Sequence, residues 1–255
     1  MLCRRVIPCL DIRAERVVKG VRFQSLRDVG DPAELAARYE AQGADEIVLL
    51  DVSATIEERL AGLRCVERTR RRLSIPLTVG GGVRTAEDAR RLLEAGADRV
   101  GVNTAAVADP SLVKRLADSF GSQCVVVAID AARVPSPSDS PSWRVSVRAA
   151  TQPVERDPAG WARECAQLGA GEILLTCIDR DGTGTGYDLP LIESVSSAVP
   201  IPIIASGGAA HPEDLPAAIE AGASAVLVAS MLHDGKWTVE QLKAALARGG
   251  VEVRL

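Results

Sequence analysis

A chain of 255 residues, 47% of them apolar, can bury one large core and suits either two ordinary domains or one closed α/β barrel. Thirty basic residues against 34 acidic ones, a formal net charge of -4, give no reason to expect nucleic acid or an anionic membrane as partner, so any basic patch must be local. No run of eighteen apolar residues occurs and the start MLCRRVIPCLDIR lacks a leader's long apolar centre, so a soluble, cytoplasmic protein is expected.

The first predicted strand runs from Arg5 to Asp11 and ends in a carboxylate. Residues 12–30 are polar, glycine-punctuated and far longer than the usual strand-to-helix connection, which marks a functional loop or lid. Asp31-Pro32 then caps a helix reaching about Gln42. EIVLL forms strand two, followed by Asp51 and Ser53, with a helix over about Glu57 to Arg72. The arginines at 68, 70, 71 and 72 suit the carboxyl end of that helix as a solvated face. Strand three is IPLTV, with Gly80-Gly81-Gly82 behind it and a helix from Thr85. Strand four is RVGVN, which puts Asn103 and Thr104 at its carboxyl end, and Asp109-Pro110 opens helix four with Ser111 in the first turn. Strand five, CVVVAID, is rich in β-branched residues, reads as buried on both faces, and ends in Asp130.

Residues 131–156 break this rhythm. PSPSDSPSW is turn-rich, and WRVSVRA alternates enough for a short strand or half of a hairpin, so the stretch is a loop or hairpin insertion and not a domain. Helix five covers Pro158 to Leu168, and strand six is EILLT, continuing to Asp179. Residues 180–188, RDGTGTGYD, are too glycine-rich for helix or strand and suit wrapping an anion with backbone N–H groups. Helix six near Leu189 to Ser197, strand seven, a glycine pair, helix seven, strand eight (AVLVA), Ser230 and a helix from about Val239 to Arg248 follow.

One pattern occurs twice. Residues 75–104 and 201–230 share their apolar runs, glycine pairs and Ala-Gly-Ala closures at a shift of 126 positions, so that Gly81-Gly82 recurs as Gly207-Gly208. Eight strands, each with a helix, and an internal repeat predict an α/β protein with one (β/α)8 TIM barrel, its halves about 1–120 and 121–255. Chemistry in that fold sits at the carboxyl ends of the strands. Asp11, Asp51, Asn103, Thr104, Asp130, Thr176, Asp179, Ser206 and Ser230 are expected there.

Six cysteines without paired spacing read as reduced thiols, not as a disulfide or zinc scaffold. Two histidines, His211 and His233, without ligand spacing leave acid/base work to carboxylates, and no metal ligand set or cofactor motif is visible. Asp11 and Asp130 occupy matching places in the two halves. Facing carboxylates can exchange protons with opposite faces of a substrate if their pKa values differ; the plain alternative is that each caps a turn or pairs with a nearby cation. Gly81-Gly82 with Asn103-Thr104, and Gly207-Gly208 with Ala229-Ser230, form two candidate phosphate cradles, and Gly182 and Thr183 could serve the second. Two cradles half a chain apart suit a long substrate with a phosphate at each end. Lys19 is either a mobile cation reaching over that substrate or a solubilising surface residue.

The stretches IPCLDI with RVVKG, GADEIVLLDVSAT, TVGGGVRTAEDA, GADRVGVNTAAV and GAGEILLTCIDRDGTGTGYD resemble the cyclase subunits of imidazole glycerol phosphate synthases of histidine biosynthesis, with matches over nearly the whole chain. The resemblance implies a lyase that uses ammonia from a glutamine amidotransferase partner. Its substrate would be a bisphosphorylated formimino-aminoimidazole-carboxamide ribonucleotide, and its products imidazole glycerol phosphate and aminoimidazole-carboxamide ribonucleotide. It places catalytic carboxylates on Asp11 and Asp130 and the loop lysine on Lys19, with Thr176 and Asp181 as polar residues at the site. Phosphate contacts fall on Gly82, Asn103 and Thr104 at one end and on Gly182, Ser206, Gly207, Ala229 and Ser230 at the other. Arg5, Glu46, Arg99 and Glu172 would form a charged ring at the ammonia inlet, and Asp98 would face the partner. The resemblance implies no cofactor. The sequence departs from the family in residues 135–156, which lack the usual Thr-Gly-containing hairpin, and at Glu15, where many members have glycine. Two rival readings stay open: an isomerase of the same pathway that opens a ribosyl ring on a similar bisphosphate, and a non-catalytic phosphate-binding subunit.

Overall fold

Eight apolar, largely β-branched segments align in parallel and close on themselves. In a computed structural model that describes residues 3–21, 24–57, 60–135 and 141–254, these are β1 (Arg5–Arg13), β2 (Ile47–Asp51), β3 (Leu77–Gly80), β4 (Arg99–Val102), β5 (Val125–Val134), β6 (Glu172–Cys177), β7 (Ile203–Ser206) and β8 (Ala225–Val228). Each pairs with its neighbour, β1 pairs with β8 through Arg5↔Ala225, and β5 pairs with β6 through Thr176↔Asp130, so no edge is left. Outside them lie α1 (Pro32–Ala41), α2 (Leu63–Arg70), α3 (Ala86–Glu94), α4 (Ser111–Phe120), α5 (Pro158–Gln167), α6 (Leu189–Ser196), α7 (Asp214–Glu220) and α8 (Val239–Arg248). This is the (β/α)8 barrel expected from the repeat.

The caps show why the helices start where they do. Asp31 accepts from Ala33 N at 2.9 Å with Pro32 inside the first turn of α1. Thr85 with Asp88, and Thr238 with Gln241, form capping boxes on α3 and α8. Alternation along each strand divides the core in two. Val6 and Leu10 pack outward among the helices, while Ile7 and Cys9 join Val48, Val126, Leu174, Ile204 and Leu227 inside the barrel.

Three local expectations need correction. Residues 12–30 are not an irregular loop: β1 runs two residues past Asp11 and turns at Ala14 (φ 49°) and Glu15 (φ 60°). It then pairs antiparallel with Arg16–Val21, which pairs with Gln24–Gly30. The buried Val17 and Val18 give that hairpin an apolar anchor. Helix α2 begins after Gly62 rather than at Glu57, and residues 58 and 59 lie outside the described residues. Two short helices lie beyond the sequence-based expectation, Thr104–Ala108 after β4 and Ser230–His233 after β8; their first residues are 230 − 104 = 126 positions apart, the same shift as the repeat. Strand β5 continues beyond Asp130 to Val134 and folds back on Ser142–Val147, which pairs with Gln152–Pro153, so the insertion is a hairpin. Part of PSPSDSPSW, residues 136–140, lies outside the described residues. Among the described residues no helix is long and apolar enough to cross a membrane.

Candidate functional site

At the carboxyl ends of the strands a cavity of about 790 Å3 opens, within the range of small-molecule sites. Asp11 and Asp130 line it, each less than a tenth exposed. Their environments differ in kind. Asp11 accepts from the Cys9 thiol at 3.3 Å and lies 4.0 Å from the Lys19 ammonium. Burial raises its pKa, the Lys19 charge pulls it back, and Asp181 adds to the rise. Asp130 has an amide neighbour instead: Asn103 Nδ2 donates to its Oδ2 at 2.9 Å. Burial pushes Asp130 up to about 7, opposed by the Asn103 bond and assisted by the charges of Asp181 and Asp11. One carboxyl is therefore set beside a cation and the other poised near neutrality, the arrangement that lets one acid donate while another accepts. Asn103 Oδ1 is buried with no described partner, an acceptor left for a bound N–H or O–H.

Lys19 is not a free surface cation here. It is buried, and its Nζ donates to Asp181 Oδ1 at 3.2 Å, so the hairpin that carries it is drawn down over the cavity. Burial works against its charge, but Asp11 and Asp181 together raise its pKa. Asp51 and Asp179 also sit at strand ends, yet their carboxylates are engaged with backbone. Asp51 accepts from Ser53 N and Ala54 N, and Asp179 accepts from Arg133 N at 2.6 Å. Thr176 lines the cavity in register with Asp130 on one side and Ser206 on the other.

The two cradles share one backbone plan. Asn103 (φ -134°, ψ -89°) and Ala229 (φ -134°, ψ -78°) introduce the short helices that start at Thr104 and Ser230, and neither helix has a side-chain cap. The glycine pairs approach closely: a Cβ on Gly81 would lie 2.7 Å from the Asp51 carbonyl oxygen, and one on Gly208 would lie 2.1 Å from the Gly186 carbonyl oxygen. Only glycine fits such contacts at φ 120° and 109°. Gly82, Gly182 and Gly207 all line the cavity. At the end of the short helix Ser230–His233, His233 is half-buried between Tyr39 and β1. Its Nε2 lies 3.0 Å from the Cys9 carbonyl, which only accepts, so Nε2 carries the proton and Nδ1 accepts from the Tyr39 hydroxyl at 2.7 Å. Burial and the Lys19 charge hold His233 down at about 4, a neutral support for the short helix.

The opposite end of the barrel is closed by charge. Arg5 bridges Glu46 (2.7 Å) and Glu172, and Arg99 bridges the same two carboxylates at 2.9 and 3.1 Å. Thr78 adds a 2.6 Å bond to Glu46. Asp98 stands on the rim, half exposed, accepting from Arg70 Nη1 at 2.9 Å and Leu77 N at 2.8 Å. Between ring and cavity lies the apolar interior layer.

Sequence reasoning missed Arg148, Ala149, Arg84, Arg27 and Lys236, which also line the cavity. Arg27 and Lys236 both pair with Asp234 beside the second cradle. The alternation in WRVSVRA marks a hairpin but not where its turn docks.

A family model described as "Histidine biosynthesis protein" matches residues 5–238. The imidazole glycerol phosphate synthase subunit HisF of Myxococcus xanthus (strain DK1622) is 54% identical over 255 residues, covering 100% of this chain and 99% of that protein.

Proposed function

The chain belongs to the histidine biosynthesis protein family, and on that premise we propose that it is the ammonia-dependent cyclase of an imidazole glycerol phosphate synthase. Ammonia attacks the ribulosyl carbonyl of the bisphosphorylated formimino-aminoimidazole-carboxamide ribonucleotide and water leaves. The formimino linkage then breaks and the imidazole ring closes, giving imidazole glycerol phosphate and aminoimidazole-carboxamide ribonucleotide. The observation that carries this reading is the pair of unequally tuned carboxyls, Asp11 and Asp130, in one cavity between two like-built anion cradles.

Asp130, near neutrality and hydrogen-bonded to Asn103, handles protons on the ammonia side. Asp11 protonates near the leaving group, with Lys19 setting its charge balance. Gly82, Asn103 and Thr104 hold one phosphate; Gly182, Ser206, Gly207, Ala229 and Ser230 hold the other, and Thr176 and Asp181 orient the middle of the molecule. A glutamine amidotransferase docks on the face that carries Asp98. Its ammonia enters through the ring of Arg5, Glu46, Arg99 and Glu172 and crosses the apolar interior, which supports passage of the neutral molecule rather than the ion.

The test is product formation by the purified chain, given the bisphosphorylated substrate and an ammonium salt at alkaline pH without a partner. Imidazole glycerol phosphate is expected from the native chain, and loss of at least a hundredfold from Asp11→Asn and Asp130→Asn. Binding without turnover would overturn the catalytic reading in favour of a binding subunit, and ring opening of the earlier ribosyl bisphosphate would favour the isomerase.

A further inference from the structure

The hairpin that departs from the family pattern ends its turn against the first phosphate cradle. Ser142–Val147 runs back along β5, with Ser146 opposite Asp130, and Trp143 Nε1 donates to Asp188 Oδ2 at 3.1 Å to fix the hairpin's outer part. The turn that follows is held at both backbone ends of Arg148. Its N–H donates to Thr104 Oγ1 at 2.9 Å, and its carbonyl accepts from the Thr151 hydroxyl at 2.7 Å. Three successive residues without glycine's freedom, Arg148, Ala149 and Ala150, take φ of 55°, 52° and 64°. Such left-handed runs persist where surrounding contacts dictate them, and they cluster at ligand sites.

Two consequences follow for the cradle. A threonine hydroxyl has one proton and two lone pairs, so an N–H already bound to Thr104 Oγ1 leaves that proton to be donated elsewhere. The Arg148 side chain, meanwhile, is exposed, lines the same cavity as Asn103 and Thr104, and pairs with no carboxylate among the described residues. The second cradle is different, since its nearby cations are engaged with acids: Lys19 with Asp181, and Arg27 and Lys236 with Asp234. We propose that Arg148 is a further phosphate-binding residue of this chain, its guanidinium neutralising the phosphate seated at Gly82, Asn103 and Thr104 while its backbone aims the Thr104 hydroxyl at the same group. A planar fork of donors suits bidentate contact with phosphate oxygens. The assignment takes its ligand from the cyclase reading above.

The two products part the substrate's phosphates, one to each, which gives a selective test. Titration calorimetry of the native chain, Arg148→Ala and Arg148→Lys with each product should show one product weakened about tenfold by alanine and the other unchanged within twofold. Lysine should recover part of the loss. In ammonia-driven turnover, Arg148→Ala should raise KM for the bisphosphate about tenfold with kcat within twofold, and leave the melting temperature unchanged. Unchanged affinity for both products would overturn the assignment. Equal weakening of both, with a fall in kcat, would reduce Arg148 to a structural support of the hairpin and overturn it too. If the native chain binds both products yet makes neither, the cyclase reading fails, while the comparison of affinities still decides Arg148.

Discussion

Asp130 carries the sharpest consequence at the scale of one residue. An ordinary aspartate titrates near 3.9, whereas burial holds this one up at about 7 in the folded chain. The native state therefore keeps a proton that the unfolded chain has already released. The stability tied to that proton is complete below about pH 4 and is lost as pH rises towards and through about 7. An amide in place of this carboxyl would not titrate. Denaturant unfolding of Asp130→Asn against the native chain should show a stability gain that is small at pH 4 and reaches a few kcal/mol at pH 8, while turnover collapses. A gain that does not change with pH would contradict the tuned carboxyl. His233 illustrates the opposite use of burial. Half-buried and held down at about 4, it is neutral near pH 7, so it supports the short helix without adding charge there.

At the scale of the element, the glycine turns behind β3 and β7 decide whether the cradles can form. Gly208→Ala would drive a Cβ to within 2.1 Å of a backbone oxygen at φ 109°, whereas Gly43 has φ 87° and nothing within 4 Å of the added carbon. Chemical denaturation should find Gly208→Ala costing roughly 2–4 kcal/mol and Gly43→Ala about 1 kcal/mol, the cost of conformation alone. Equal losses would mean that the close approach to Gly186 does not constrain the turn. Elements are legible in the sequence where their causes are local. Thr85 with Asp88, Asp31-Pro32 and the β-branched run of β5 each carry their signal within a few residues, and the structure follows them. The hairpin of residues 16–30 reads as a loop in the sequence because its evidence is non-local: Val17 and Val18 show their purpose only once β1 is beside them. Helix α2 begins later than its sequence suggests because Gly62 gives its start no side-chain cap to read. Arg148 is invisible for a related reason, since nothing in VRAAT announces three left-handed residues or a neighbour 44 positions away.

Across the whole molecule, the barrel separates two kinds of chemistry by one apolar layer. Two buried carboxylates, Glu46 and Glu172, and two half-buried arginines, Arg5 and Arg99, close one end, and the cavity with Asp11 and Asp130 occupies the other. Each carboxylate is shared by both arginines, so loss of either arginine still leaves Glu46 and Glu172 one cationic partner. Asp98 is on the rim, outside the cavity, so its charge should matter to a docked partner and not to the reaction. Asp98→Asn, which keeps an acceptor for Leu77 N, should lower glutamine-dependent turnover at least tenfold in the presence of the amidotransferase and leave ammonia-dependent turnover within twofold. Matching losses in the two assays would remove Asp98 from the interface. The internal repeat gives the larger lesson about what the sequence reveals. A shift of 126 residues locates both glycine turns, because duplicated backbone needs duplicated glycines, but not the short helices that follow them; nor can it locate the unequal carboxyl environments, because Val145 and Ala229 stand where that shift would repeat Lys19 and Asn103.

Cyclase chemistry in this cavity requires one ligand spanning both cradles over the two aspartates. Its most direct test is a crystal structure of Asp130→Asn soaked with the bisphosphorylated substrate. The expected density has one phosphate against Gly82, Asn103, Thr104 and Arg148, the other against Gly182, Ser206, Gly207 and Ser230, and the ribulosyl carbonyl between Asp11 and position 130. Both phosphates in one cradle, or a ligand seated away from Asp11, would contradict it.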